Sequence, residues 1–219
     1  MTPILRLYED TIAGGVPAVS LSARPRMVFV VHGTVEIEGR TIRDGETWDG
    51  TEAISLKPGA EGVTVWRYEL AAPGGADGAA KGDGVRSMLK LAADLETIPQ
   101  GELLLRGDSV AFPPGGCAFK HVHQGPGFRC LIEGGIRIDT HGRSTSYGPG
   151  AAWYESGPEP VFAQAAADRP SRFIRVMILP RALLGGKSSI SLVNEEDKSK
   201  PRSQQYKIFA DRAIELPKD

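Results

Sequence analysis

Residues 113–135 read PPGGCAFKHVHQGPGFRCLIEGG, and they contain two of the four histidines in the chain. His121 and His123 are separated by a single residue. In a β-strand alternate side chains project from the same face, so both imidazoles are expected to point the same way. The same alternation places Phe119 and Cys117 beside them. The stretch therefore predicts a strand face that carries two imidazoles, an aromatic ring and a thiol.

Two imidazoles this close suit a divalent metal, because neutral ring nitrogen is a good donor to Fe, Mn, Ni, Cu or Zn. The alternative is that His121 and His123 line a pocket or form hydrogen bonds inside a core. Glu155 follows on a later predicted strand, and facing inward it would complete a site of two histidines and one carboxylate. Its alternative is a surface glutamate at a strand end.

Arg129 is the candidate anchor for a substrate. It alternates with Gly127 and Leu131, and a guanidinium that faced the histidines would hold a carboxylate or phosphate through paired hydrogen bonds. A buried guanidinium is costly without a partner, so the alternative is an outward arginine paired with a neighbouring acid. Trp153 and Phe119 are the candidate aromatic residues of the same pocket, although such side chains in a β core usually serve packing.

The residues quoted above resemble the first sequence motif of the cupin superfamily, and Gly115, His121, His123 and Gly134 match its pattern. Residues 147–158, YGPGAAWYESGP, resemble the second motif. The resemblance covers both halves of the chain. It implies an all-β bicupin, that is, two tandem double-stranded β-helix (jelly-roll) barrels with one interior site each, followed by an extended C-terminal tail.

The chain departs from that family pattern at two ligand positions. Gly127 stands where the family has a glutamate, and Val161 stands where it has its last histidine. Only two of the four usual ligands are thus present. In the first half, Ser20 and Ser22 correspond to the two histidines, so the resemblance implies a first half without a metal.

The two halves of the chain repeat one plan. Moving residues 4–33 forward by 101 positions places them on residues 105–134 without gaps, and Gly14-Gly15 then falls on Gly115-Gly116. A further gap of four residues brings Trp48 onto Trp153. Matches that involve glycine carry weight, because backbone geometry restricts the choice there. The repeat predicts two similar all-β units.

The sequence between these halves lacks the residues of a core. Residues 71–84, AAPGGADGAAKGDG, are small, polar and glycine-rich, which predicts a linker or a loop. The segment after them, Val85–Leu95, fits either a helix or a strand. The predicted segments are 1–70 as a cupin-like half with a degenerate site, 71–84 as the linker or loop, 85–181 as the cupin half with His-x-His, and 182–219 as the C-terminal extension.

Composition excludes several classes of partner. The 219 residues include 26 basic and 27 acidic side chains, so neither nucleic acid nor an anionic membrane surface is expected to bind. The longest apolar run, Met27–Val31, is too short to span a bilayer. No signal-peptide pattern is recognised, and Cys117 and Cys130 are interpreted as reduced thiols, so we expect a cytoplasmic protein.

Two functions follow from these expectations, and a third explanation competes with both. The first is a metal-dependent enzyme, dioxygenase- or isomerase-like, that acts on a small anionic organic substrate in the second barrel. The alternative is a non-catalytic cupin that binds or senses a small ligand through a degenerate metal site. The competing explanation places both histidines in a core, with neither pocket nor metal. A small-molecule partner and a homodimer are expected in the first two cases.

Overall fold

The computed structural model describes residues 2–217, which fall into two compact units. Unit 1 comprises residues 2–95 and 214–217, and unit 2 comprises residues 96–213. Over this range the chain forms seventeen β-strands and two short 3₁₀ helices, Arg181–Leu183 and Glu195–Ser199. Among the described residues, neither helix has the length and apolar content needed to cross a membrane.

Unit 1 is built on one antiparallel sheet with the strand order β4-β3-β6-β1-β7, and β2 and β5 pair with β6 and β3. Valine, isoleucine and aromatic residues favour the extended conformation, which explains the long strand that ends at Ala71. The strands are β1 (Ile4–Ile12), β2 (Val19–Leu21), β3 (Arg26–Ile37), β4 (Arg40–Arg43), β5 (Thr47–Gly50), β6 (Ile54–Ala71) and β7 (Val85–Asp94).

Unit 2 consists of two five-stranded antiparallel sheets, β13-β10-β15-β8-β17 and β12-β11-β14-β9-β16. Its strands are β8 (Leu103–Phe112), β9 (Cys117–His123), β10 (Gly127–Glu133), β11 (Ile136–Thr140), β12 (Arg143–Tyr147), β13 (Ala152–Glu155), β14 (Val161–Ala165), β15 (Ser171–Pro180), β16 (Ile190–Leu192) and β17 (Gln205–Ile214).

A single apolar core joins the two sheets of unit 2. Val110, Leu131 and Phe173 come from one sheet, and Ile138 and Ala163 come from the other. β14 alternates as a half-buried strand does, since each inward residue is followed by a less buried one. This nearly all-β architecture is consistent with a cupin jelly roll.

Equivalent strands of the two units have equivalent neighbours. The 101-position shift matches Val28 of unit 1 with Arg129 of unit 2. Val28 lies opposite Trp48 on β5 and Arg67 on β6. Arg129 lies opposite Trp153 on β13 and Arg175 on β15. The sequence repeat thus extends to strand pairing. Each unit places a tryptophan and an arginine on either side of the same strand.

The segment between the predicted halves belongs to unit 1. Residues 71–84 fold back on β1, where the Tyr8 hydroxyl donates to Asp77 at 2.8 Å and Ala80 enters the core. Val85–Asp94 is a strand, β7, that pairs with β1 along its length. The units therefore divide after Leu95, whereas the sequence analysis places the division at residues 71–84. Periodicity in the segment 85–95 could not show this long-range pairing.

The C-terminal extension is part of unit 2 for most of its length. β17 pairs with β8 at the edge of one sheet. Asp211 on β17 accepts from Arg106 on β8 at 2.9 Å and from the backbone N–H of Gly185 at 2.7 Å. Residues 182–213 thus supply an edge strand to each sheet of the unit, β17 beside β8 and β16 beside β9.

Candidate functional site

The two histidines lie at the end of β9 and face the core of unit 2, with 7% and 5% of their surfaces exposed. A bulge precedes them: His121 lies opposite Val161, but Ala118, three residues earlier, lies opposite Ala163. An extra residue in a strand reverses the alternation on its far side. Ala118, rather than Phe119 or Cys117, therefore shares the face of the histidines.

The prediction that Phe119 and Cys117 lie beside the histidines is therefore wrong. The Phe119 ring lies on the other side of β9, with the ammonium of Lys200 at 5.3 Å from its centroid. Burial raises the pKa of the Cys117 thiol, which opposes a role as a nucleophile. The regular alternation assumed from the sequence does not hold across the bulge.

The predicted metal ligands lie together. Nε2 of His121 is 3.2 Å from Nε2 of His123, which is 3.2 Å from Oε2 of Glu155. Glu155 is the last residue of β13, and its Oε1 accepts a hydrogen bond of 2.8 Å from the indole N–H of Trp153. Trp153 packs in the core and stacks on Tyr147. It thus orients the carboxylate from behind and does not line the cavity described below.

Arg129 faces inward from β10 and is almost completely buried. Its Nη1 donates to the carbonyl of Gly127 at 2.8 Å, and its Nη2 is 2.7 Å from Oε2 of Glu155. Burial lowers the pKa of Arg129 to about 10, so it is a cation at neutral pH. The guanidinium is thus already paired with a carboxylate of the chain.

Glycine at position 127 is required by packing. A Cβ there would lie 2.2 Å from the carbonyl oxygen of Val176 on the neighbouring strand, far inside van der Waals contact. No larger side chain fits without movement of the backbone. The packing of this fold therefore excludes the glutamate that the family pattern has at position 127. The carboxylate at the histidines comes from Glu155 on β13 instead.

A second buried ion pair lies beside the first. Asp108 on β8 accepts two hydrogen bonds from Arg175 on β15, of 2.9 Å and 2.6 Å. Of the two arginines on β15 that the sequence offers, Arg175 faces inward and Arg172 pairs with Glu133 at the surface. The sequence analysis did not identify Asp108. The only sequence signal for Asp108 was its position two residues before Val110, a core residue, because alternate residues of a strand share a face.

The protonation states suit metal binding. Burial lowers the pKa of His121, and it lowers the pKa of His123 to about 3. Burial also raises the pKa of Glu155, but the charge of Arg129 and the hydrogen bond from His123 outweigh it and hold that pKa below its usual range. At neutral pH the site therefore has two neutral imidazoles and one carboxylate.

The tautomer of His121 follows from its surroundings. Its Nδ1 lies 2.7 Å from the carbonyl oxygen of Phe119, and a carbonyl can only accept. Nδ1 therefore carries the proton, and Nε2 directs its lone pair toward His123. Metal-binding histidines commonly donate their second ring N–H to a carbonyl in this way.

A small cavity lies among these side chains. Its volume is about 20 Å³, and the two histidines, Arg129, Glu155 and Arg175 are among its lining residues. A cavity of about 10–15 Å³ on this measure holds one water molecule. The space beside the histidines is thus that of one water or one ion, and any larger ligand must lie elsewhere.

The donor spacing fits a single metal ion. Ligand atoms at about 2.1 Å from one ion lie about 3.0–3.4 Å from each other for right-angled to tetrahedral geometry, which includes both 3.2 Å separations. Among residues 2–217 no three His, Cys, Asp or Glu side chains are already arranged as a metal site. His121, His123 and Glu155 form a chain of contacts, and the carboxylate at its end pairs with Arg129.

The pKa shifts predict how stability depends on pH in the metal-free protein. The unfolded chain protonates both histidines near their usual pKa of 6.5, whereas the folded chain does not. Below about pH 6.5 the free energy of unfolding should therefore fall by about 1.4 kcal/mol per pH unit for His123, and further for His121 as long as the pH stays above its own lowered pKa. Urea titrations of chelator-treated protein between about pH 6.5 and 5.5, above the range where most carboxylates titrate, measure this slope.

The control is a His121→Gln/His123→Gln variant, which has the same surface and lacks both imidazoles. Its slope in this pH window should be smaller by most of that amount. Equal slopes in the variant and the wild type would contradict the assignment of two buried neutral histidines.

Unit 1 has no comparable histidine pair among its described residues. Ser20 and Ser22 are exposed, and the inward face carries a buried ion-pair network in which Arg67 contacts Asp10 at 2.6 Å and also contacts Glu69. These side chains neutralise one another. The arrangement gives unit 1 no set of neutral nitrogen donors.

No protein-family model and no curated protein matches this chain. Solved structures do match. An oxalate decarboxylase of Lactobacillus farciminis, in a formate complex, superposes with a TM-score of 0.62 at 12% identity over 90% of this chain and 82% of its own. An oxalate decarboxylase of Bacillus subtilis at pH 4.6 gives 0.57 and 13% over 90% and 72%. At this identity the likeness shows the fold alone.

Proposed function

We propose that this protein is a metal-dependent cupin enzyme that acts on a small anionic organic substrate in unit 2. The observation that carries the proposal is the position of Nε2 of His123, which lies 3.2 Å from Nε2 of His121 and 3.2 Å from Oε2 of Glu155. At neutral pH the two imidazoles are neutral and the carboxylate is ionised, which are the protonation states that metal ligation requires. Two histidines and a carboxylate suit a divalent metal such as Fe, Mn, Ni, Cu or Zn.

Each neighbour of the three donors has a role in this proposal. The Phe119 carbonyl sets the tautomer of His121, and Trp153 fixes the carboxylate of Glu155. Arg129 keeps that carboxylate ionised. A bound divalent metal would supply a Lewis acid for oxygen atoms of the substrate.

A second candidate function rests on the Arg129–Glu155 contact of 2.7 Å. Because the guanidinium already balances the carboxylate, the site is complete as an ion pair without any metal. This favours a protein that binds a small ligand and does not convert it. The two functions differ in whether Glu155 leaves Arg129 to join the histidines at a metal.

We also propose that the whole chain is a bicupin with one degenerate barrel. The support is the strand pairing that the two units share. Trp48 lies opposite Val28 and Trp153 lies opposite Arg129, and the 101-position shift places Val28 on Arg129. On this view unit 1 has lost its ligands and retains a buried ion-pair network in their place.

Elemental analysis of tag-free protein tests the metal proposal. After incubation with each candidate metal and removal of the excess, the wild type should retain about one equivalent, and a His121→Ala/His123→Ala variant should retain almost none. A His32→Ala/His141→Ala variant is the matched control, because both of these side chains are largely exposed. It should bind as the wild type does.

Three outcomes decide between the functions. Metal retention that depends on the buried pair, with conversion of one of a panel of small carboxylic acids under air or nitrogen, supports the enzyme. The same retention without conversion of any acid favours the binding protein. No retention after reconstitution overturns the metal site.

A further inference from the structure

A second and larger cavity adjoins the histidines within unit 2. Its volume is about 240 Å³. Its lining includes Asp108 and Arg175 from β8 and β15, residues 186–190, Arg202, and Tyr206 and Ile208 from β17. Arg175 and Tyr206 line both this cavity and the small one at the histidines. These two side chains therefore form the partition between the two spaces.

Two of the arginines in this cavity are neutralised by carboxylates. Arg175 forms its two hydrogen bonds with Asp108. Arg106 pairs with Asp211 at 2.9 Å, and its two Nη atoms donate to backbone carbonyls at 2.6 Å. Their donors are occupied, so neither arginine is available to bind an added anion without breaking a buried pair.

Two other cations of the cavity have no carboxylate partner among residues 2–217. Lys187 donates to the carbonyl of Ala182 at 2.9 Å, and neither its ammonium nor the guanidinium of Arg202 forms an ion pair there. Because the other charges of the wall cancel, the cavity has an excess of about two positive charges. That excess selects an anion, and preferentially a dianion.

Part of the remaining wall is apolar, beside Ser188 and Ser189. Ile190, Ile208 and the ring of Tyr206 contribute hydrocarbon and aromatic surface. Inorganic phosphate would match the charge but would leave this surface in contact with water. A short organic acid satisfies both parts of the wall, since its charged ends can bind the cations while its carbon chain covers the apolar side chains.

We propose that this cavity binds a small organic dianion, of the class of the short dicarboxylates, through Lys187 and Arg202. A role of this ligand as the substrate rests on the proposed function, because the ligand would then lie one side chain away from the metal. Binding itself does not depend on the metal. The C-terminal extension, which supplies Lys187, Arg202 and Tyr206, is thus the element that defines which ligand enters.

Calorimetric titration of the full chain tests this inference. The probes are linear dicarboxylates of two to eight carbons, monocarboxylates of the same lengths, and inorganic phosphate. We expect one dicarboxylate length to bind best, and a Lys187→Gln/Arg202→Gln variant to bind it at least about tenfold more weakly, because the variant loses both charge-assisted hydrogen bonds. The matched control is Lys207→Gln, a lysine on β17 whose ammonium lies over the Phe209 ring at 5.2 Å. It should bind as the wild type does.

The titration is repeated with chelator-treated His121→Ala/His123→Ala protein, so that the two proposals fail separately. Dicarboxylate binding that survives there and is lost in Lys187→Gln/Arg202→Gln supports the cavity, whatever the metal analysis gives. Binding that requires the histidines and ignores Lys187 and Arg202 places the ligand on the metal and overturns the cavity. Preference for phosphate, or the absence of binding by every probe, overturns it as well.

Discussion

Replacement of Arg129 by methionine is expected to destabilise the metal-free protein by about 3–5 kcal/mol, because it leaves a buried carboxylate without its cation. Glu155 has only 9% of its side chain exposed, and Arg129 is the arginine that contacts its Oε2, at 2.7 Å. Methionine retains most of the volume and adds no new polar group. The destabilisation is therefore assigned to the charge and not to a cavity.

The same replacement should strengthen metal binding by at least about tenfold. Two unit positive charges about 4 Å apart repel by about 4 kcal/mol even at an effective dielectric constant of 20, and the variant removes this repulsion. Added zinc should then restore most of the lost stability. Denaturation with and without zinc, together with a metal-competition titration, measures both effects.

Arg172→Met is the matched control for this experiment. Arg172 lies on β15 and pairs with Glu133 at 3.0 Å, but both side chains are substantially exposed. Its loss should change stability by less than about 1 kcal/mol and leave metal affinity unchanged. If Arg129→Met behaves like this control, Arg129 is not the counter-charge of Glu155 and does not compete with a metal.

The second large effect is expected at Asp108. Its carboxylate has two hydrogen bonds with Arg175, and both side chains are buried. Asp108→Ala leaves the Arg175 cation without a partner and should lower the free energy of unfolding by about 3–5 kcal/mol. The measurement is urea denaturation near neutral pH.

Two further variants separate charge from packing at this pair. Asp139→Ala removes an acid whose partner Arg137 is largely exposed, and it should cost less than about 1 kcal/mol. An Asp108→Ala/Arg175→Met double variant removes both charges and should recover much of the loss. A double variant less stable than Asp108→Ala would show that the ion pair is not the source of the effect.

The sequence was informative where chemistry depends on neighbours along the chain. The spacing of His121 and His123 placed them on one face because no bulge lies between them. Phe119 was misplaced because a bulge before His121 is set by pairing with β14, which no local pattern records. The inward direction of Glu155 could be inferred from its parity with Trp153.

Features that depend on distant pairing could not be inferred. Asp108 and Arg175 are separated by 67 residues and meet because β8 and β15 are neighbours. Tyr206 reaches the histidine cavity because β17 pairs with β8. The unit boundary lies after β7 because β7 pairs with β1, which is also a distant contact. Composition indicates an all-β protein, but it does not show which strands pair.

The pairing of β8 with β17 also determines when unit 2 can be completed during synthesis. β8 is its first strand and β17 its last, so this edge of the sheet closes only after residues 205–214 have left the ribosome. Until then β8 presents an open edge to other nascent chains. Because contacts between distant residues form slowly, folding of this unit has to wait for its final strand. The wall that carries Arg202 and Tyr206 is consequently the last part of unit 2 to be made.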